Sequence, residues 1–246
     1  MPFLIKRRKK KKKEEKRVWW QRDEYFNGLF EEGLEFSDTL NGNPDLAPKA
    51  RFYNLIQFYC STFDLDGDTA EAGCLFGLSS FLMCGYERQR NASFTGKGHH
   101  VFDSFIGLSA PAKEDIREDI KNPYIGNLLK KQEQGGRRHR SFFKRTKRTL
   151  SEFPDIQYNI GWIPKVFENI PDRKYRFVHI DVDLYEPTYA SFEYFYPRLV
   201  SGGVIVCDDY GFVSWAGAKA AVDKYCEAKN ISVIKLTTGN AAIIKR

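Results

Sequence analysis

Five short apolar runs, near 68–72, 99–103, 156–160, 175–181 and 203–208, alternate with segments long enough for helices, such as 78–88 and 187–199. Strand-helix-strand order sends each helix across a sheet, so the chain is expected to be α/β, with a mostly parallel sheet and helices on both faces. Two further runs, Ser232–Leu236 and Ala241–Ile244, are joined by the turn-like Thr237-Thr238-Gly239-Asn240, which predicts an antiparallel hairpin at the sheet edge and brings the strands to seven. A length of 246 residues suits one α/β domain, placed over 18–246. A helix is predicted over 47–62, with Pro48 in its first turn and Phe52, Leu55, Ile56 and Tyr59 on one apolar face.

The formal charge of +7 suggests a polyanion partner until it is divided along the chain. Residues 1–17 hold ten Lys/Arg and two Glu, a net +8, which leaves −1 for the rest. This like-charge block is read as a disordered arm, either solubilising or touching nucleic acid or an anionic surface, while the near-neutral body has no basic footprint of its own. Between Ser104 and Pro154 lies an insertion too long for a simple loop, with a Gly135-Gly136 break and a basic stretch from Arg137 to Arg148. It reads equally as a lid over the ligand edge of the sheet and as a solvated basic face. The arm is not followed by the roughly 7–15 apolar residues of a secretory signal, and no run approaches the ~18 needed to span a bilayer. Five cysteines without a CxxC pair fit buried, reduced thiols, so a soluble cytoplasmic protein is expected.

Two constellations carry chemistry. The first, Glu71-Ala-Gly73-Cys-Leu-Phe-Gly77-Leu-Ser79, follows a strand and opens a helix. Gly73 and Gly77 let backbone approach a ligand, and the helix start offers free N–H groups. Glu71 would point an anion at the pocket, which suits a ligand ammonium and repels a pyrophosphate. Close helix-sheet packing demands the same glycines, so the motif alone does not fix a ligand. Asp103 ends the run His99-His100-Val101-Phe102, where an acid at a strand tip can take both hydroxyls of a ribose. Standing alone, it would read as a turn cap.

The second constellation is Asp181-Val-Asp183-Leu-Tyr-Glu186 and Asp208-Asp209, each cluster ending an apolar strand. Neighbouring parallel strands would gather Asp181, Asp208 and Asp209, and carboxylates so gathered repel one another unless a cation such as Mg²⁺ neutralises them. His179, His99 and His100 lie inside strands, where a histidine is more often a satisfied core residue than a base, so no general base is identified.

Glu71–Ser79, the stretch Asp103-Ser-Phe-Ile-Gly-Leu, Asp181–Thr188, Gly202–Gly211 and the closing Thr238-Gly239-Asn240-Ala-Ala-Ile-Ile together resemble the macrocin O-methyltransferase family from about Arg51 to the C-terminus. The resemblance implies a Rossmann-like class I methyltransferase fold. It also implies Mg²⁺-dependent transfer of a methyl group from S-adenosylmethionine to a hydroxyl, typically of a sugar on a glycan or larger natural product. On this reading Glu71, Gly73 and Gly77 hold the methionine end of the cofactor with Ser79 beside them, and Asp103 holds its ribose. Ser104, Phe105, Gly161 and Trp162 line the adenosine pocket. Asp181, Asp208 and Asp209 are metal ligands, and Asp183 faces the cofactor. Nothing in the basic insertion or the arm matches the family residue by residue. An acidic acceptor for Arg137, Arg138, Arg140, Lys144 and Arg145 is therefore a separate hypothesis, and a homo-oligomer is left open.

A nicotinamide-dependent oxidoreductase would also use a Gly-rich turn followed by an acidic strand end, but Gly-x-Gly-x-x-Gly is missing and the acidic trio is left unexplained. A non-catalytic nucleic-acid binder would rely on the arm alone, and deleting residues 1–17 separates it from an enzyme.

Overall fold

A computed structural model of the chain describes residues 19–37, 49–117 and 139–246. The basic arm, Pro48 and much of the insertion lie outside these residues. The sheet contains β1 (Asp68–Ala72), β2 (His99–Asp103), β3 (Gln157–Ile160), β4 (Tyr175–Ile180), β5 (Leu199–Cys207), β6 (Ile234–Lys235) and β7 (Ala241–Ile244). Their order is β3-β2-β1-β4-β5-β7-β6. The first five run parallel, and β7 pairs antiparallel with both β5 and β6. The predicted hairpin is present at the edge, although β6 is trimmed to two residues.

Strand parity builds two cores, because successive side chains point to opposite faces. Val101, Phe177, Val204 and Ala242 face one way, against α1 (Glu24–Ser37), α2 (Lys49–Cys60) and α3 (Leu78–Arg90). Their neighbours Phe102, Val178, Ile205 and Ile243 face the other, against α5 (Tyr185–Phe195) and α6 (Ala216–Ala228). The central strands thus carry apolar residues on both sides, as a parallel sheet covered by helices requires, with Glu71, His99 and His179 among the buried polar exceptions. In α2 the predicted face is rotated slightly: Tyr53 joins Leu55, Ile56 and Tyr59 in the core, while Phe52 turns toward the cavity described below.

The insertion returns as α4 (His139–Thr149). Its basic side chains are used structurally. Arg145 donates to the Ser37 carbonyl at 3.1 Å and Arg148 to the Phe36 carbonyl at 3.2 Å, supplying donors to the carbonyls that end α1. Arg145 also lies 3.5 Å over the Phe76 ring. Of the five basic residues considered for an acidic acceptor, Arg137, Arg138 and the side chain of Arg140 fall outside what is described, Lys144 is exposed and Arg145 is held in these contacts. All five cysteines are free, and among the described residues no helix is long and apolar enough to cross a membrane.

Candidate active site

The strand order reverses direction between β1 and β4, and in open α/β sheets ligands bind outside the carboxyl ends of the strands at such a point. A cavity of about 510 Å³ opens there. It receives Gly73 after β1, Asp103 at the tip of β2, Gly161 after β3, Asp181 after β4 and Asp209 after β5.

On the β1–β3 side the backbone is drawn tight. Gly73 has φ +80°, and a Cβ there would sit 1.8 Å from the Asp181 carbonyl oxygen, so only glycine lets the two strand exits pass. Leu75, Phe105 and Asp183 also have positive φ, at 47°, 54° and 61°, and all three line the cavity. Left-handed non-glycine residues gathered at one site are strain held in place by the surroundings. Asp103 supplies part of that hold. One carboxylate oxygen accepts the Cys74 N–H at 2.8 Å and the Leu75 N–H at 3.3 Å, and the other accepts the Phe105 N–H at 2.6 Å. Burial raises its pKa, against the lowering effect of these N–H groups. The oxygen that accepts only the Phe105 N–H keeps a lone pair for a ligand hydroxyl.

On the β4–β5 side four carboxylates converge. Asp181, Asp183 and Asp209 bring oxygens within 4.8 Å of one another, and Asp181 also belongs to an inner triad with His179 and Asp208. Burial first, then the Asp208 charge, pushes the Asp181 carboxyl up to about 7. Asp183 and Asp209 are raised well above the ordinary range by burial and by their carboxylate neighbours. Asp208 is occupied on both oxygens: one accepts Asn240 Nδ2 at 2.6 Å, and the other meets Arg51 Nη2 at 2.8 Å.

These shifts predict a pH dependence. The folded Asp181 carboxyl titrates near 7 against an ordinary 3.8, so the folded state keeps a proton that the unfolded chain releases. Stability in chelator is therefore expected to fall as pH rises from about 4 to about 7, by roughly 2–4 kcal/mol. Melting temperatures of wild type and Asp181→Asn compared at pH 5 and pH 8 check this, and an equal fall in both chains would refute it.

Of the residues predicted for the cofactor, Gly73, Ser79, Asp103, Ser104, Phe105, Gly161, Trp162 and Asp183 line the cavity. Two do not. Glu71 is fully buried beneath the loop, accepting from Ser80 Oγ and paired with His179 Nδ1 at 3.0 Å, its register neighbour across β1 and β4. The anion expected to face the pocket faces the core instead. Gly77 starts α3 with φ +88° and packs against Leu150 and Thr146, so its need for glycine comes from helix geometry. The predicted trio of Asp181, Asp208 and Asp209 is also divided. Consecutive residues leaving a strand point apart, so Asp209 reaches the cavity while Asp208 turns toward Arg51 and Asn240, and Asp183 takes its place beside Asp181.

His179 is buried between Glu71 and Asp208. Burial opposes its charge, but the two carboxylates outweigh it and raise the ring to about 10. His99, held by Thr69 and Ser80, is depressed to about 3 by burial. Sequence reasoning missed Arg51, Phe52, Phe212 and Trp215, which line the cavity beside the carboxylates. It also missed Asp115, whose buried carboxylate accepts the Ala112 and Tyr185 N–H groups, both at 2.8 Å, and fastens the start of the insertion to α5. Phe212 and Trp215 follow Asp209 closely enough to be found from the motif, whereas nothing local marks Arg51.

Comparison with known proteins places this site. The chain is 27% identical over 164 residues to demethyldecarbamoylnovobiocin O-methyltransferase of Streptomyces niveus, covering 66% of this chain and 59% of that protein. It is 29% identical over 147 residues to 8-demethyl-8-(2,3-dimethoxy-alpha-L-rhamnosyl)-tetracenomycin-C 4'-O-methyltransferase of Streptomyces olivaceus, covering 58% and 53%. The match thus spans little more than half the length of these relatives. The solved structure of the O-methyltransferase NovP superimposes with a TM-score of 0.62 at 22% identity over 79% of each chain, which shows a class I O-methyltransferase fold. The Macrocin-O-methyltransferase (TylF) family model matches residues 48–238, a span holding the glycine loop, Asp103 and all four converging carboxylates. The chain belongs to the macrocin O-methyltransferase family.

Proposed function

We propose that this protein transfers a methyl group from S-adenosylmethionine to a hydroxyl of a sugar-bearing acceptor, with a divalent cation held by its carboxylates. The observation that carries the reading is one cavity with two chemically different ends. The strained Gly73 loop and Asp103 form one end, and Asp181, Asp183 and Asp209 form the other, beside the aromatic wall of Phe52, Phe212 and Trp215.

The cofactor end suits a nucleoside. Asp103 offers its remaining lone pair to a ribose hydroxyl, Trp162 offers a face for a base with the Phe105 ring packed behind the loop, and Ser79 stands near the start of α3. The aromatic wall suits a sugar, whose apolar face packs on rings while its hydroxyls point toward the carboxylates. The donor set suits a hard cation: it is made of carboxylate oxygens, and burial, then the neighbouring carboxylates, raises the pKa of Asp181, Asp183 and Asp209, so their charged forms lack compensation there. Asp181, Asp183 and Asp209 would hold the ion, with Asp208 next to them. A divalent cation such as Mg²⁺ makes an acceptor hydroxyl easier to deprotonate and fixes its direction. The chain's own contribution is positional, because methyl transfer in line demands that acceptor oxygen and methyl carbon be held close and aligned. The segment 104–154 serves as a lid in this reading, since Ser104, Leu108 and Phe142 already border the cavity.

Calorimetric titration of S-adenosylmethionine into wild type and Asp103→Asn tests the cofactor end. Wild type is expected to bind, and Asp103→Asn to weaken binding about tenfold, since one charged hydrogen-bond acceptor to the ribose becomes neutral. Absence of binding to wild type would sink the reading. Binding would justify a screen of sugar acceptors.

A further inference from the structure

We infer that Arg51 is the built-in counter-cation of the carboxylate cluster, and that a divalent ion gains Asp208 only by displacing its guanidinium. The inference rests on the metal-assisted reading above and concerns what this chain must give up to bind the ion.

The first ground is occupancy. Asp208 has one oxygen on Arg51 Nη2 at 2.8 Å and the other on Asn240 Nδ2 at 2.6 Å, so nitrogen donors meet a cation on both sides of that carboxylate. His179 Nε2, with its side chain 1% exposed, points at Asp208 from 3.7 Å and has no hydrogen-bond partner, although its ring lies in the inner triad with Asp181 and Asp208. Asp208 thus faces nitrogen groups of Arg51, Asn240 and His179, and its carboxylate is clamped.

The second ground is charge. Arg51 is the one Lys or Arg among the described residues lining the cavity, and its guanidinium lies against Asp208 at 2.8 Å. The guanidinium shares the four carboxylates with the His179 ring, which faces Glu71 at 3.0 Å and Asp208 at 3.7 Å, and on the cavity side it repels an incoming cation at short range, where the effective dielectric is low. Its position is also held from behind, because the guanidinium carbon lies 5.2 Å over the Phe212 ring. Arg51 Nε is buried without a hydrogen-bond partner, so the side chain is committed to the cluster without being fully satisfied there.

Arg51 therefore sets metal affinity: it stabilises the metal-free site and gives way when the ion arrives. Titration of Mn²⁺ into the full-length chain, read by the electron paramagnetic resonance of the free ion and by calorimetry, tests this without any turnover. Arg51→Gln is expected to tighten Mn²⁺ binding about tenfold, and Arg51→Lys, whose shorter stem withdraws the charge from Asp208, about threefold. Should the glutamine variant not fold, the lysine variant decides alone. Affinity equal to or weaker than wild type would overturn the inference while leaving the metal-assisted reading in place, because Arg51 would then be orienting Asp208 for the ion. Binding to a variant but not to wild type would support it most strongly. Absence of Mn²⁺ binding to every chain would overturn both.

Discussion

Asp181→Asn is expected to remove the heat of Mg²⁺ binding and to lower methyl transfer on the order of 10³-fold, about 4 kcal/mol of barrier. Asp181 is singled out because it alone belongs to both triads, the cavity-facing one with Asp183 and Asp209 and the inner one with His179 and Asp208. Replacing one oxygen by an amide nitrogen takes away both a ligand and a full negative charge, yet it preserves the shape of the side chain. The fold should therefore survive, and in metal-free buffer the variant should be more stable than wild type above pH 7, where three mutually repelling neighbours have one fewer partner. Cofactor binding, which we propose to depend on Asp103 and the glycine loop, should change by less than about threefold. A variant that kept its metal heat and its turnover would show that the carboxylates meet for structural reasons alone.

The second large effect is expected at Gly73. Alanine there would place a Cβ 1.8 Å from the Asp181 carbonyl oxygen at φ +80°. The Cβ is fixed to its Cα and the oxygen belongs to backbone, so no side chain can swing aside, and either the tip of β1 or the segment after β4 has to move. The expected cost is about 3–5 kcal/mol of folding stability, with loss of at least 100-fold in S-adenosylmethionine affinity, since displacement of the loop breaks the Asp103 hydrogen bonds that shape it. Gly107→Ala provides the control. Its φ is +99° but a Cβ would meet nothing within 4 Å, so it isolates the conformational cost of about 1–2 kcal/mol. Equal destabilisation by the two substitutions would mean that the close approach at Gly73 carries no weight.

Most of the sheet was legible because a strand buried on both faces needs a largely apolar run, which Val204–Cys207 supplies without a break and Tyr175–Ile180 supplies around Arg176 and His179. The helix Glu24–Ser37 went unread. Phe26, Leu29, Phe30, Gly33 and Ser37 have clear helical spacing, but Gly28 and Gly33 interrupt the propensity signal. Gly33 is explained only by tertiary contact, since a Cβ there would collide with Leu78 and Phe81. At the site, strand tips told which residues would gather and not which way they would turn. Parity separates Asp208 from Asp209 and places Asp183 with Asp181, so the same alternation that revealed the strands could have corrected the trio. Glu71 required the register between β1 and β4, and Arg51 required a helix from a distant part of the chain; neither is written in a local pattern. The nicotinamide alternative falls with the family assignment.

The seam between β1 and β4 has an evolutionary reading. Residues proposed to hold the methyl donor hang from β1, β2 and β3, and those proposed to meet the acceptor hang from β4, β5 and the start of α2, with backbone contact at Gly73 and Asp181 joining the halves. Mutations after β5, around Phe212 and Trp215, can therefore remodel what is methylated without renegotiating what supplies the methyl group. Such a chassis lets one lineage sample many acceptors by changing a few exposed loops, and it tells an engineer which side of the molecule to randomise.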